Sequence, residues 1–137
     1  MRRLSLLAAG VLAATVGLLG GQQASADPGG GMVRAAAVYS CWWVQSDALC
    51  ATPLTNLNIR AHPWSTAGYI TTMPRGSDFW LHCWNWGESV NGDTVWYYGT
   101  WDIGGDDPRE WPTGWSAGYY LSTGHDPNPQ VPNCGFN

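Results

Sequence analysis

The sequence predicts a small all-β domain, and three observations carry that prediction. After Pro53, short β-branched and aromatic runs are broken by Gly, Pro, Asn or Asp about every 8–12 residues, the turn spacing of a small barrel or sandwich. No segment repeats apolar residues at i, i+3, i+4 and i+7 over successive turns, so helices are expected to be minor. The chain also carries 4 cysteines, an even count that reads as a disulfide framework in a small exported domain.

The first element is read as a signal peptide over residues 1–26. Arg2 and Arg3 open the chain, an apolar run follows from Leu4 to Leu19, and Ala24-Ser25-Ala26 supplies the small residues that a signal peptidase reads. A membrane anchor is the competing reading. The run is short and holds several Gly and Ala, whereas a span needs about 20 strongly apolar residues. The Arg-Arg pair suits a twin-arginine signal, but only Met1 precedes it, so the export route stays open. The expected location is therefore secreted, extracellular.

Cleavage after Ala26 leaves Arg34, Arg60, Arg75 and Arg109 and no lysine against 10 acidic residues, a net charge of about −6. Nucleic acid and anionic lipid surfaces attract basic patches. The mature chain has none, so neither nucleic acid nor membrane is expected as a partner, and the domain is expected to act as a monomer.

Residues 27–31 are a Gly-rich leader, and Met32 to Val44 turns apolar, reading as a strand that runs into a clip. The four cysteines allow three pairings. We favour Cys41–Cys50 as a local clip and Cys83–Cys134 as a staple for a Pro- and Asn-rich tail. Metal binding by the cysteines would want close C-x-x-C pairs, and none occur. The resulting organisation is an N-terminal extension over 27–54, a barrel over 55–123 and a stapled tail over 124–137.

Within the barrel, Pro74-Arg75-Gly76 reads as a turn into the strand Phe79-Trp80-Leu81-His82-Cys83-Trp84. Strict alternation places Phe79, Leu81 and Cys83 on one face, taken as the core face, and Trp80, His82 and Trp84 on the other. Asn91-Gly92 supplies the two positive-φ positions of a type I′ hairpin between Val90 and Val95.

Taken together, these segments resemble the bacterial SH3-like (SH3b) domain over about Thr55 to Thr123. Leu57-Asn58-Ile59-Arg60 with Pro63 and Ser65-Thr66 is similar to the family's opening strand and small-residue loop. Tyr69-Ile70 with Met73-Pro74-Arg75-Gly76, Phe79-x-Leu81-x-Cys83, and Val90 through Tyr97 resemble its next three strands. Gly114-Trp115 and Gly118-Tyr119-Tyr120-Leu121 look like its closing turn and last strand. The resemblance implies an all-β, SH3-like barrel of five or six short strands, here with a disulfide-clipped N-terminal extension. It also implies a binding module for cell-wall peptidoglycan or peptide. The 32–52 extension, the long Gly99–Thr113 segment and the aromatic Trp80, His82 and Trp84 depart from the family pattern.

Three further motifs suggest chemistry, and each has a plainer explanation. Gly114-Trp115-Ser116-Ala117-Gly118 fits G-x-S-x-G. A nucleophile elbow, however, needs a strand-to-helix turn followed by an acid and then a histidine, and here His125 precedes Asp126. His62, His82 and His125 are scattered singles rather than a zinc-ligand motif. Asp102, Asp106, Asp107 and Glu110 surround Gly104-Gly105, raw material for calcium but without EF-hand spacing. No cofactor and no metal are expected.

The informative set is the 10 tryptophans. Trp96 and Trp115 match core positions of the family. Trp42, Trp43, Trp64, Trp80, Trp84, Trp86, Trp101 and Trp111 are surplus. Two readings compete: a stacking platform for sugar rings or peptide, or an extended core in which Trp42, Trp43, Trp101 and Trp111 cover Trp80 and Trp84. The expectation is a non-catalytic module that binds cell-envelope peptidoglycan or peptide through a groove of Trp64, Tyr69, Trp84, Trp86 and Trp101. An alternative expectation is an extracellular protein-interaction factor, an inhibitor or accessory protein, that presents the acidic 102–110 loop to a protein partner.

Overall fold

The computed structural model describes residues 37–135. The expected signal peptide, the Gly-rich leader and the last two residues lie outside that range. The described chain forms strands β1 (Tyr39–Ser40), β2 (Leu49–Ala51), β3 (Leu57–Arg60), β4 (Tyr69–Met73), β5 (Asp78–Val90), β6 (Asp93–Asp102) and β7 (Thr113–Ala117). Two single-turn 3-10 helices, Pro108–Glu110 and Gly118–Tyr120, complete it, and no α-helix occurs among the described residues. The fold is all-β, as the turn spacing predicts.

All seven strands join one antiparallel sheet in the order β1-β2-β5-β6-β7-β3-β4. Five or six short strands were expected. The clipped segment instead contributes β1 and β2 to the sheet itself, and β5 and β6 run to 13 and 10 residues. The order begins at β1 and ends at β4 without joining the two, so the sheet is open rather than a closed barrel.

β5 reaches its length by bending. Leu81 pairs with Gly99 and Cys83 with Tyr98, so His82 is an extra residue opposite β6, a β-bulge. Directly opposed residues of a ladder share a face. Before the bulge, Phe79 and Leu81 point into the core; beyond it, Trp84 lies opposite the fully buried Tyr97 and packs on that same core. The expected faces of Cys83 and Trp84 are therefore exchanged. Cys83, placed on the core face by alternation, lies on the outer face opposite Tyr98, and Trp84 turns inward.

The main core gathers Val38, Ala51, Leu57, Ile59, Met73, Phe79, Leu81, Val95, Tyr97, Leu121 and Val131. On the outer face, Trp80 and Tyr39 pack on the Cys41–Cys50 clip, and Trp96, Trp115 and Ala117 form a third cluster. Tyr39 donates to Asp78; burial first, and then that carboxylate, push its hydroxyl up to about 12.

The turn chemistry behaves as read. Asn91 and Gly92 both take positive φ, 50° and 89°, as a type I′ hairpin requires. Gly76, at φ 85°, closes the Pro74 turn.

Both preferred disulfides form, Cys41–Cys50 and Cys83–Cys134, which is compatible with an extracellular location. The second brings the tail beside β5, where Trp84 N–H donates to Pro132 O and Cys134 N–H donates to Trp84 O, at 3.0 and 2.9 Å. Polar anchors reinforce the tail. Tyr97 Oη donates to Asp126 Oδ1 at 2.7 Å and accepts from Asn128 N–H at 2.8 Å. Thr123 Oγ1 donates to the same Asp126 oxygen at 2.6 Å.

Two stability predictions follow from this packing. The bridges close loops with separations of 51 and 9 residues. Chain entropy makes removal of Cys83–Cys134 cost about 4 kcal/mol and removal of Cys41–Cys50 about 2.7 kcal/mol, to be read by urea unfolding of the paired Ala variants. At Gly99, an added Cβ would sit 2.4 Å from Trp80 O and 2.7 Å from Phe79 Cζ. Gly99→Ala is therefore expected to destabilise by about 1–3 kcal/mol in the same assay.

Candidate functional site

A pocket of about 630 Å³ is lined by Ala61, His62, Pro63, Trp64, Asn85, Trp86, Tyr98 and Trp115; Asn85, Tyr98 and Trp115 stand on the outer face, whereas Trp86 lies opposite Val95 in the ladder. Three elements meet there. The 61–68 segment between β3 and β4 carries His62 and Trp64, whose rings stack at 4.7 Å and 7°. β5 brings Asn85 and Trp86 from beyond its bulge. Tyr98 of β6 and Trp115 of β7 lie opposite each other in register, with ring centroids 5.3 Å apart. Trp64 is 43% exposed and Trp86 57%, whereas Trp115 is almost covered.

Glu88 clamps the segment that carries Trp64, which Arg60 also braces by donating to Ala67 O at 3.1 Å. Glu88 N–H donates to Pro63 O at 2.9 Å and its carboxylate accepts from Ser65 N–H. Its own carbonyl accepts from the Trp96 indole at 2.8 Å. The Ser65 hydrogen bonds hold the Glu88 carboxyl below the usual carboxylate range, with a smaller contribution from Arg60. Next to it, Gly87 meets the segment so closely that a Cβ would lie 2.2 Å from Pro63 O. Only glycine allows that approach.

From the pocket a line of rings continues along the outer face. Tyr98 lies 6.0 Å from His82, and His82 lies 4.3 Å from Trp80. The His82 ring is fixed by a 2.8 Å hydrogen bond between Nε2 and Thr100 Oγ1, which in turn bonds Thr113 Oγ1 at 2.7 Å. Burial lowers the His82 pKa below its ordinary value of about 6.5. Trp80 and His82 also line a second hollow of about 330 Å³ with Gln45, Asp47, Gln130 and Pro132.

The five residues expected to form a groove do not all meet. Trp64 and Trp86 line the pocket, and Trp84 touches Trp86 edge-on at 5.1 Å from its place against the core. Trp101 pairs with Phe79 at the other end of β5 and also packs on the core. Tyr69 is exposed on β4 and bonds Thr72 Oγ1, outside the pocket. Sequence reasoning missed His62, Asn85, Tyr98 and Trp115. Trp115 is buried, as its core assignment expects, and only borders the pocket, and nothing in the chain marks Tyr98 apart from its neighbours Trp96 and Tyr97.

The covering role considered for Trp42 and Trp43 does not occur. They are exposed, Trp42 by 71%, and Trp43 only reaches out to donate to Asp102 Oδ2. Trp111 is buried but bonds Gly104 O within its own loop.

The remaining candidates have local partners. Ser116 is fully buried on β7, and its hydroxyl donates to Asn58 O at 3.1 Å rather than standing on a strand-to-helix turn. Asp102 Oδ1 accepts from Gly104 N–H and Asp107 pairs with Arg109 at 2.8 Å. Among the described residues, no three His, Cys, Asp or Glu side chains converge into a metal-binding group.

No protein-family model matches the chain, and no curated protein matches it.

The depressed pKa of His82 sets a pH dependence. On acidification the unfolded chain takes up the imidazole proton first, so stability is full above about pH 6.5 and falls as pH drops below it. His82→Gln should flatten that limb of the curve, measured as thermal midpoint between pH 7.5 and pH 5.

Proposed function

We propose that this protein is a secreted, non-catalytic binding module of SH3-like type that takes cell-envelope peptidoglycan or peptide in the pocket between Trp64 and Trp86. One observation carries the reading. Two large indoles, Trp64 and Trp86, stand exposed at one pocket that His62, Tyr98 and Trp115 also line. Small soluble domains seldom leave contiguous apolar patches uncovered unless they bind something. A pocket of several hundred Å³ with mostly apolar walls and a few polar groups is the usual form of a ligand site.

Further support comes from the rigidity of the walls. The Glu88 clamp and the close approach at Gly87 hold the Trp64 segment in place, so little ordering remains to be done on binding. The segments that resemble the SH3b pattern occupy β3 to β7 and the final 3-10 turn, in the same order along the chain. The basic start, apolar run and Ala24-Ser25-Ala26 site support export.

The test is sedimentation of the oxidised mature protein with insoluble peptidoglycan. Binding should persist at high salt, because stacking on aromatic faces is not screened as exposed charge pairs are. Trp64→Ala and Trp86→Ala should each weaken it about tenfold without loss of folding. Trp84→Ala should instead lower stability by about 3–5 kcal/mol, since that indole packs on the core. Retention of full binding by both pocket variants overturns the assignment.

A further inference from the structure

We infer that the occupant of the site is a linear, uncharged N-acetylhexosamine chain several rings long, lying along the outer face from the Trp64–Trp86 pocket to Trp80. The inference rests on the wall-binding reading above and narrows it to the glycan strand, as opposed to the peptide.

Charge separates the two. Among the described residues no Asp, Glu, Lys or Arg lines the pocket, whose polar residues include His62, Asn85 and Tyr98. Wall stem peptides carry carboxylates and amines. Such groups would be desolvated between indoles with no partner of opposite sign. A pyranose presents an apolar C–H face to an aromatic ring and hydroxyl and acetamido groups at its rim, which suits flat walls with isolated neutral donors and acceptors.

The length of the site points to a chain instead of a single sugar. Trp115, Tyr98, His82 and Trp80 follow one another with centroids 5.3, 6.0 and 4.3 Å apart. The strand register places them on one face. Cys83, Tyr98 and Trp115 form one row, and Trp80, Thr100 and Thr113 form another. At the Trp80 end, Gln45 and Gln130 offer amides and Asp47 is the single charged residue of the second hollow. Two hollows, one lined by Tyr98 and the other by His82 and Trp80, linked through the Tyr98–His82 contact, match a polymer rather than one sugar, and each added sugar adds a contact without another loss of translational freedom.

The test is titration of the oxidised mature protein with N-acetylglucosamine monomer, dimer, tetramer and hexamer, followed by tryptophan fluorescence. Soluble stem peptide serves as the comparison. Affinity is expected to rise about tenfold or more from dimer to tetramer and to change little with salt. Trp64→Ala and Trp86→Ala, at exposed positions, should weaken every oligomer. His82→Ala should weaken tetramer and hexamer more than dimer, with circular dichroism and the thermal midpoint checking that it remains folded. Sedimentation with whole walls, but no binding of any oligomer or no gain with length, overturns this inference and leaves the wall-binding reading intact. Binding of stem peptide in place of the oligomers does the same. Failure to sediment overturns both.

Discussion

The extra residue that β5 carries at His82 sets the direction of the side chains from Cys83 to Trp86 on that strand. A strand alternates with period two, so one inserted residue exchanges its faces from that point onward. Here the exchange sends Trp84 inward against Tyr97 and Cys83 outward beside Tyr98. The core thereby gains a large indole, and the outer face gains the sulfur that captures the tail. His82 itself, at the crossing point, is held by Thr100 between Trp80 and Tyr98. Core, staple and aromatic track thus share one backbone irregularity.

The outer face acquires its aromatic character through geometry more than through any one strand. At the pocket β5, β6 and β7 each supply one ring, and a fourth element, the 61–68 segment, arrives from the far end of the sheet. Glycine is what allows the elements to come so close. At Gly114 a Cβ would lie 2.6 Å from Arg60 O, where β3 crosses β7, and Gly87 admits the Trp64 segment. Glu88 then converts proximity into fixed position by using backbone and side chain together.

Much of the fold was legible in the chain because it is written locally. Asn91-Gly92, Pro74-Arg75-Gly76 and the spacing of breakers each act within a few residues, and the preferred cysteine pairing, one of three, is the one that forms. What escaped depends on partners far away in sequence. The bulge at His82 is a property of two paired strands, so alternation along one of them cannot reveal it. Whether the ladder closes is decided between β1 and β4, which are distant in sequence. The site divides in the same way. Trp64 and Trp86 stood out as indoles in excess of core needs, whereas Trp84 and Trp101 were misplaced because register, not composition, turns them to the core. Tyr98 and Trp115 were hidden by resemblance to ordinary sheet residues.

The tail that lies beside Trp84 also occupies a position usually filled by a neighbouring strand. β2 covers β5 only as far as Leu81, and from there the backbone groups of Trp84 bond to Pro132 and Cys134. A chain in which Cys83 is still reduced holds that tail loosely and presents a bare length of sheet edge, the kind of surface on which separate molecules zip together. Thiol oxidation therefore acts as a safeguard against self-association as well as a source of stability.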